Sequence, residues 1–407
     1  MTLYPNRTPF PRGHHGLFPR EEMLEISKRK KQLVIGIPKE VNRFENRIPL
    51  SPQGVELLVE NGHVIIIESG AGEQSNYFDN DFSESGATIV KSKVDVYQQS
   101  DIILKIMPPC EEEMDLLKTD QVIFSFVSLY HQSREGIARL MDKKVNAIGF
   151  EYLRDVHDIL PVIRIMNEIE GYASVMVASE YLSKAHNGKG VFLGGITGIS
   201  PAEFVVLGAG TAGEYAARAA LGLGAQVKIF DNSIHNLYNI EHNLGQRVFT
   251  SVLHPQVITK ALRSADAVIG NLGYSDVGRP YLVSEEQLSL MKKGSVIVDL
   301  SIAQGGCFES SSCTNFDHPV FTKHGIIHYC VPNIASRVSR TASIALSNIF
   351  APLLLNIAES GGIHQAVKEE IGLSNGMYIY KGILTNNQIG KRFAIPDTDI
   401  GLLLAAF

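Results

Sequence analysis

The sequence predicts an α/β protein of two domains, each built on a mostly parallel, doubly wound sheet, with a Rossmann domain in the second half. Three observations lead there. From Leu33 onward, short apolar runs alternate with helical patterns, which is the signature of successive βαβ units. A glycine-rich stretch, GGITGISPAE (194–203), interrupts the alternation as a turn-rich boundary. The alternation then restarts at Phe204 with VVLGAG, an apolar strand running into a glycine turn.

Taken in order, residues 1–33 form an arm. Its first part is rich in Pro, Gly, Arg and His without periodicity, and Glu21–Gln32 has helical character. LVIGIP (33–38) is a buried strand, and Ser51 to Asn61 a helix with Pro52 in its first turn. HVIIIES (63–69), DIILKI (101–106), VIFSFV (122–127) and NAIGFEYL (146–153) continue as strands, with a glycine-bearing loop over 70–77. A long helix follows over about 161–184, then the loop HNGKG (186–190). In the second half QVKIFD (226–231), AVIGN (267–271), SVIVDL (295–300) and IIHYCV (326–331) read as strands, and a long helix spans about 336–360. The domain limits expected are 34–165 and 341–407 for a substrate domain and 166–340 for a nucleotide domain.

With 407 residues the chain is long enough for two domains. Its 44% hydrophobic and 20% charged residues are ordinary for a globular chain. A net charge of -6 argues against nucleic acid or an anionic membrane as partner, because both need a concentrated basic surface. Lys28–Lys31 is read as a solvated helix end. Cys110, Cys307, Cys313 and Cys330 show no CxxC spacing, so free thiols, no metal site and a cytoplasmic setting are expected. Arg7 and Arg12 are followed by no apolar stretch of the kind a secretory signal needs. Ile344–Ala358, the most apolar late segment, is broken by Ser347, Asn348, Pro352 and Asn356 and reads as a packed helix rather than a membrane span.

The sharpest chemical signal is Gly208-Ala209-Gly210-Thr211-Ala212-Gly213, a G-x-G-x-x-G between an apolar strand and an alanine-rich helix. Gly208 permits the tight turn, Gly210 lets backbone approach a diphosphate, and Gly213 lets helix and strand pack closely. The diphosphate then meets free N–H groups at the helix start. Asp231 ends the next strand, 23 residues after Gly208, close to the ~20 expected for a carboxylate on the ribose 2′-hydroxyl. Its charge repels a 2′-phosphate, and Asn232 and Ser233 bring no arginine to welcome one, so NAD is expected as cofactor. A packing turn without a ligand is the bland alternative, and strand, turn, helix and acid in this order weigh against it.

Four longer stretches stand out: IGIPKEVNRFENRIPLSPQGVELL (35–58), GGITGISPAEFVVLGAGTAG (194–213), VDLSIAQGGCFESS (298–311) and HYCVPNIASRVSRTAS (328–343). Through them the chain, from about Leu33, resembles the alanine dehydrogenase and nicotinamide nucleotide transhydrogenase (domain I) family. The first and the last two sit nearer to the alanine dehydrogenases. The resemblance implies two Rossmann-like domains, the NAD-binding one inserted into a discontinuous substrate domain, with the active site where they meet. It implies a homo-oligomer, hexamer or dimer, acting on a small amino acid or 2-oxo acid. Further cofactor contacts are implied at Asn232, Leu272, Leu300, Ala303 and Asn333.

The same resemblance assigns catalytic positions one by one. Arg47, in the ENR motif, matches the arginine that grips the substrate carboxylate, a bidentate task lysine cannot copy. An ion pair with Glu45 or Glu40 is its structural alternative. The family's second cation falls on Met107, with Lys105 two residues earlier. The acid/base histidine falls on Ser128, with His131 three residues further on, read alternatively as a surface histidine opening the next helix. The family's aspartate falls on Ala303, and a cofactor-contacting serine on Asn167. Glu168 and Glu170 are expected on a helix surface, Glu168 pairing with Arg164, or Glu170 supplying a replacement carboxylate. Loss of one general acid or base costs roughly 10²–10⁴-fold. Three functions follow: an alanine dehydrogenase-type enzyme with substituted catalytic positions, a transhydrogenase-like hydride carrier, and a non-catalytic NAD-binding module.

Overall fold

The computed structural model describes residues 30–129, 132–272 and 281–406. In chain order its strands are β1 (Val34–Ile37), β2 (Val64–Glu68), β3 (Thr88–Val90), β4 (Ile102–Leu104), β5 (Val122–Ser125), β6 (Asn146–Gly149), β7 (Glu203–Leu207), β8 (Gln226–Phe230), β9 (Phe249–Ser251), β10 (Ala267–Gly270), β11 (Val296–Asp299), β12 (Val320–Lys323), β13 (Ile326–Tyr329), β14 (Met377–Tyr380) and β15 (Ile383–Leu384). The chain divides into two compact units. One comprises the described residues up to Arg164 with those from Ser339 onward, the other Ile165–Val338.

The first unit holds one sheet in the order β15-β14-β6-β5-β4-β1-β2-β3. β3-β2-β1-β4-β5-β6 is a parallel run that reverses direction of growth between β1 and β4, the doubly wound arrangement. The chain returns after its long absence to add β14, antiparallel to β6, and β15. β1, β4 and β5 are buried almost throughout, which explains why they read as continuous apolar runs.

Two helices of this unit cross closely. Pro52–Glu60 starts under the Ser51 side chain, which accepts from Gly54 N, with proline at its first position. At Gly54 a Cβ would lie 2.1 Å from Ser347 Oγ, so glycine is what lets this helix meet Ser339–Glu359. Ser343 Oγ accepts from Ile48 N at 2.9 Å, and Ser51 Oγ donates to Ser347 Oγ at 3.2 Å. Phe350 of the same long helix packs on Phe150, with ring centres 4.3 Å apart. Among the described residues the run Ile334–Glu359 is the one helical stretch long and apolar enough to cross a membrane, and much of it is buried as core.

The second unit repeats the plan. Its sheet runs β12-β13-β11-β10-β7-β8-β9, parallel except for the edge strand β12. Growth reverses between β7 and β10. Helices Thr211–Gly222 and Ile234–Leu244 follow β7 and β8, and Pro255–Ser264 precedes β10. Apolar clusters cover both faces of the sheet: Phe204, Val206 and Ile229 on one, Val205, Leu207 and Phe230 on the other.

Several elements differ from the sequence reading. NAIGFEYL is a strand only to Gly149, where a Cβ would lie 2.7 Å from Val127, and the chain turns into a short helix, Phe150–Tyr152. The helix expected to 184 ends at Leu182, because the Ser183 side chain caps a new turn by accepting from Ala185 N. Helical character expected to Gln32 is absent from Lys30–Gln32, which run without helix. Lys31 N donates to Ala358 O at 3.0 Å, and Gln32 Nε2 to Gly62 O at 2.8 Å. The rest of that arm lies outside the described residues. The short strands β3, β9, β12, β14 and β15 carried no period strong enough to read. All four cysteines are free, as expected.

One core polar pair gives a pH prediction. His328 on β13 is fully buried, and Phe321 stacks on its ring at 4.8 Å. Nδ1 faces Ile326 O at 3.0 Å, an acceptor only, so the proton sits on Nδ1. Nε2 therefore accepts from Ser310 Oγ–H at 2.7 Å. Burial pushes the His328 pKa below its ordinary value. The folded pKa is thus below the unfolded one, and the contribution is fully present above the unfolded value near 6.5. It is lost as pH falls below that value toward the folded pKa. Urea midpoints at neutral and mildly acidic pH should therefore drop more for the native chain than for His328→Gln. Equal drops would remove His328 from the acid response.

Candidate functional site

In doubly wound sheets, ligands collect at the carboxyl ends of the strands where the order reverses, because the diverging loops leave a crevice there. Each unit has such a point, between β7 and β10 in the second and between β1 and β4 in the first.

At the first of these, β7 ends on Leu207 and the chain turns sharply. Gly208 has φ 109°, a region closed to most side chains, and its N–H donates to Phe230 O at 2.7 Å. Gly210 caps the helix Thr211–Gly222 with extended backbone. A Cβ built on Gly210 would meet only the Asn271 side chain, at 3.8 Å, so the space before the helix start is open. At Gly213 a Cβ would lie 1.9 Å from Gly208 O. The three glycines thus meet three different local environments. Ala209 and Ala212 are buried beneath the turn, while Gly210 and Thr211 border the open side.

Asp231 lies next to this turn. Its Oδ2 accepts from Ala209 N at 2.7 Å and its Oδ1 from Ser233 N at 2.7 Å, tying β8 to the glycine loop. Each carboxylate oxygen has a second lone pair, so a ribose hydroxyl can donate to the same group. Asn232 is exposed beside it, and Ser233 caps the helix Ile234–Leu244. Exposed amides at a helix start, an open cradle over Gly210 and a carboxylate one strand over fit a dinucleotide with a free 2′-hydroxyl. The second unit is an NAD-binding Rossmann domain.

The loop after β11 is organised by a residue the sequence reading passed over. Asp299 is fully buried and accepts from Ser301 N at 3.1 Å, Ser301 Oγ at 2.8 Å, Cys307 N at 2.9 Å and Ser311 Oγ at 2.6 Å. Burial holds its carboxyl above the ordinary range despite these donors. Gly306, at φ 82°, would place a Cβ 3.0 Å from Asp299 Oδ2, which explains a glycine there. Leu300 and Ala303 sit on the loop so folded, both half-buried, Ala303 in the turn Ile302–Gln304. Leu272 is buried beyond the end of β10. Asn333, half-buried, accepts from Ser336 N at 2.9 Å through its backbone carbonyl.

At the reversal point of the first unit, the loop after β1 carries Glu40, Glu45 and Arg47, and the end of β4 carries Lys105 and Met107. The Arg47 guanidinium is 7% exposed and paired to Glu45 along one edge, Nε to Oε1 at 2.7 Å and Nη2 to Oε2 at 2.6 Å. The Phe126 ring lies 5.7 Å beneath it. The ion pair with Glu45 weighed from the sequence is present, and Glu40 has a different partner. Lys105, 1% exposed, donates to Glu113 Oε2 at 2.6 Å and lies 3.5 Å from Glu40 Oε2. Burial alone would lower its pKa, but the two carboxylates outweigh this and raise it. Burial raises Glu40, whereas Lys105 holds Glu113 low against the same burial. Lys105 is thus committed to an internal ion cluster. Glu40 Oε1 instead accepts from Ile106 N at 2.6 Å and Met107 N at 3.3 Å, shaping the turn after β4.

Ser128 sits in the loop after β5 at φ 51°, an unusual conformation for serine. Glu151 imposes it: both carboxylate oxygens accept from Val127 N at 2.9 Å, and Oε1 from Ser128 N at 2.9 Å. Burial raises the Glu151 pKa. Sequence reasoning missed Glu151 because it lies in what read as strand. His131 lies outside the described residues. Asn167, Glu168 and Glu170 are on the helix Pro161–Leu182, half-buried. Among the described residues no cluster of His, Cys, Asp and Glu could hold a metal ion.

Comparison with known proteins agrees with this architecture. Residues 36–170 match the N-terminal domain and residues 174–387 the C-terminal domain described as alanine dehydrogenase/PNT. The chain is 36% identical over 373 residues to an alanine dehydrogenase of Mycolicibacterium smegmatis, covering 92% of this chain and 100% of that one. It is 37% identical over 367 residues to an alanine dehydrogenase of Methanococcus maripaludis, covering 90% and 98%. Among solved structures, an L-alanine dehydrogenase superposes with TM-score 0.82 at 34% identity, covering 89% of this chain and 99% of that one. A transhydrogenase from Sinorhizobium meliloti shares the fold, with TM-score 0.73 at 23% identity over 87% and 99%. With both family domains matched in order along most of its length, the chain belongs to the alanine dehydrogenase/PNT family of NAD-dependent oxidoreductases.

Proposed function

We propose that the chain is an amino-acid dehydrogenase of alanine dehydrogenase type, interconverting L-alanine, NAD and water with pyruvate, ammonium, NADH and a proton through substituted catalytic positions. Bound NAD would supply the hydride acceptor. The observation that carries the proposal is Arg47: a buried guanidinium at a strand-order reversal, its plane set by Glu45 and its face covered by Phe126. A guanidinium so held is suited to a substrate carboxylate. Ser128, backed by Glu151, stands where the family carries its acid/base histidine, with His131 three residues along the chain. NAD rests on Gly208–Gly213 and Asp231, with Asn232, Leu272, Leu300, Ala303 and Asn333 around it. The family resemblance supports a homo-oligomer, hexamer or dimer, and the free thiols support a cytoplasmic setting.

A second reading, an NAD-binding module without turnover, is favoured by the commitment of Lys105 to Glu113 and Glu40. Pyruvate, ammonium and NADH, followed by NADH absorbance, separate the two. Weak turnover is expected from the native chain. Combined Met107→Lys, Ser128→His and Ala303→Asp should raise it by about 10²-fold or more. Bound NADH with no turnover, before or after those changes, would leave the binding module and overturn the enzyme.

A further inference from the structure

We propose that Asn271 is a cofactor-binding residue whose side-chain amide donates to a diphosphate oxygen of the dinucleotide on the Gly208–Gly213 turn. The proposal rests on NAD occupying that turn and adds a donor from the end of the adjacent strand.

The position follows from the sheet. β10 lies beside β7 with Gly270 opposite Leu207, so the next residues, Asn271 and Gly208, leave the sheet together at its carboxyl end. The Asn271 N–H donates to Leu207 O at 2.8 Å and fixes the backbone. At Gly208 a Cβ would lie 2.7 Å from Asn271 O, so the glycine needed for the turn also admits Asn271 against it. The side chain then reaches in front of the second glycine. A Cβ built on Gly210 would lie 3.8 Å from Asn271 Nδ2. Gly210 is the residue over which a diphosphate must pass.

The open space is therefore bounded by the helix-start amides on one side and by a carboxamide on the other. Asn271 is half-buried, and none of the described residues hydrogen-bonds to its side chain. An alanine would satisfy the packing beside the turn, whereas an N–H donor facing a doubly charged diphosphate makes a charge-assisted bond. The wall opposite the helix start thus stabilises the diphosphate as the helix start does.

The test is equilibrium binding of NADH, ADP-ribose and AMP to the native chain, Asn271→Ala, Asn271→Ser and Asn271→Asp, by NADH fluorescence and titration calorimetry, with thermal unfolding of each ligand-free protein. Asn271→Ala should weaken NADH and ADP-ribose equally, about tenfold, and leave AMP within about twofold. Asn271→Ser, with a shorter donor, should fall between alanine and the native chain. Asn271→Asp, isosteric but anionic, should lose more than alanine. Ligand-free unfolding temperatures should stay close together, and the serine variant carries the comparison if another fails to fold. Unchanged NADH affinity in Asn271→Ala would overturn the assignment, as would a loss for NADH not shared by ADP-ribose. Failure of the native chain to bind NADH is a separate result, which would overturn the cofactor reading as well.

Discussion

Gly213→Ala should weaken NADH binding by about a hundredfold or more and lower the unfolding temperature. The added methyl would sit 1.9 Å from Gly208 O and 2.9 Å from Gly208 C, with Val206 Cγ1 at 3.3 Å. The first two are backbone atoms of the turn and cannot rotate aside. The helix start must lift off β7, and the amides that face the diphosphate move with it. Overpacking of this kind costs about 1–3 kcal/mol or more in stability. The displacement adds a binding loss, because charge-assisted bonds weaken steeply with misplacement. Gly222→Ala at the other end of the same helix is the control. There a Cβ meets nothing within 4 Å, and alanine is the better helix former. It should bind NADH as the native chain does. A Gly213→Ala protein with unchanged affinity would mean the turn does not hold the dinucleotide.

Lys105→Met should destabilise the first unit by about 3–5 kcal/mol at neutral pH, the usual cost of stranding a buried charge partner. Methionine fills similar volume, so the loss is electrostatic. Glu113 and Glu40 would remain buried, with the half-buried Lys93 Nζ 3.2 Å from Glu113 Oε1. The pH dependence distinguishes this from a packing defect. In the native chain Lys105 holds Glu113 below its ordinary pKa, so the stability contributed by Glu113 is present above its unfolded value near 4.5 and lost as pH falls through the folded one. In the variant burial prevails and raises both carboxyls. The folded state then takes up protons more readily than the unfolded chain, and mild acid relieves the penalty. Urea midpoints at pH 7 and pH 5 should show the gap between variant and native chain narrowing at the lower pH. A gap that stays constant would count against the buried cluster.

What could be read in advance, and what could not, differs in range along the chain. The glycine turn and Asp231 were legible because every requirement is local: three glycines and one carboxylate at fixed offsets on adjoining elements. The long helices and buried strands announced themselves by period and by unbroken apolar runs. Glu151 was hidden because its partners, Val127 and Ser128, lie a strand and a helix away, and nothing near Glu151 marks a carboxylate that clamps two amides. Asp299 was passed over although its donors lie within twelve positions, since a strand-end acid followed by serines also suits an ordinary turn.

The sequence by itself determined the α/β class, the two-domain plan, the glycine turn and the family, because alternation, glycine spacing and long ordered motifs are properties of the linear chain. Tertiary structure decided how the charges are partnered. Arg47 pairs within its own loop with Glu45, two residues away, whereas Lys105 meets Glu40 because the ends of β1 and β4 come together. The place of Asn271 before Gly210 depends likewise on β10 lying next to β7, sixty residues away in the chain. Sheet pairing joins such distant segments, and a buried polar group takes the partner that pairing brings within reach.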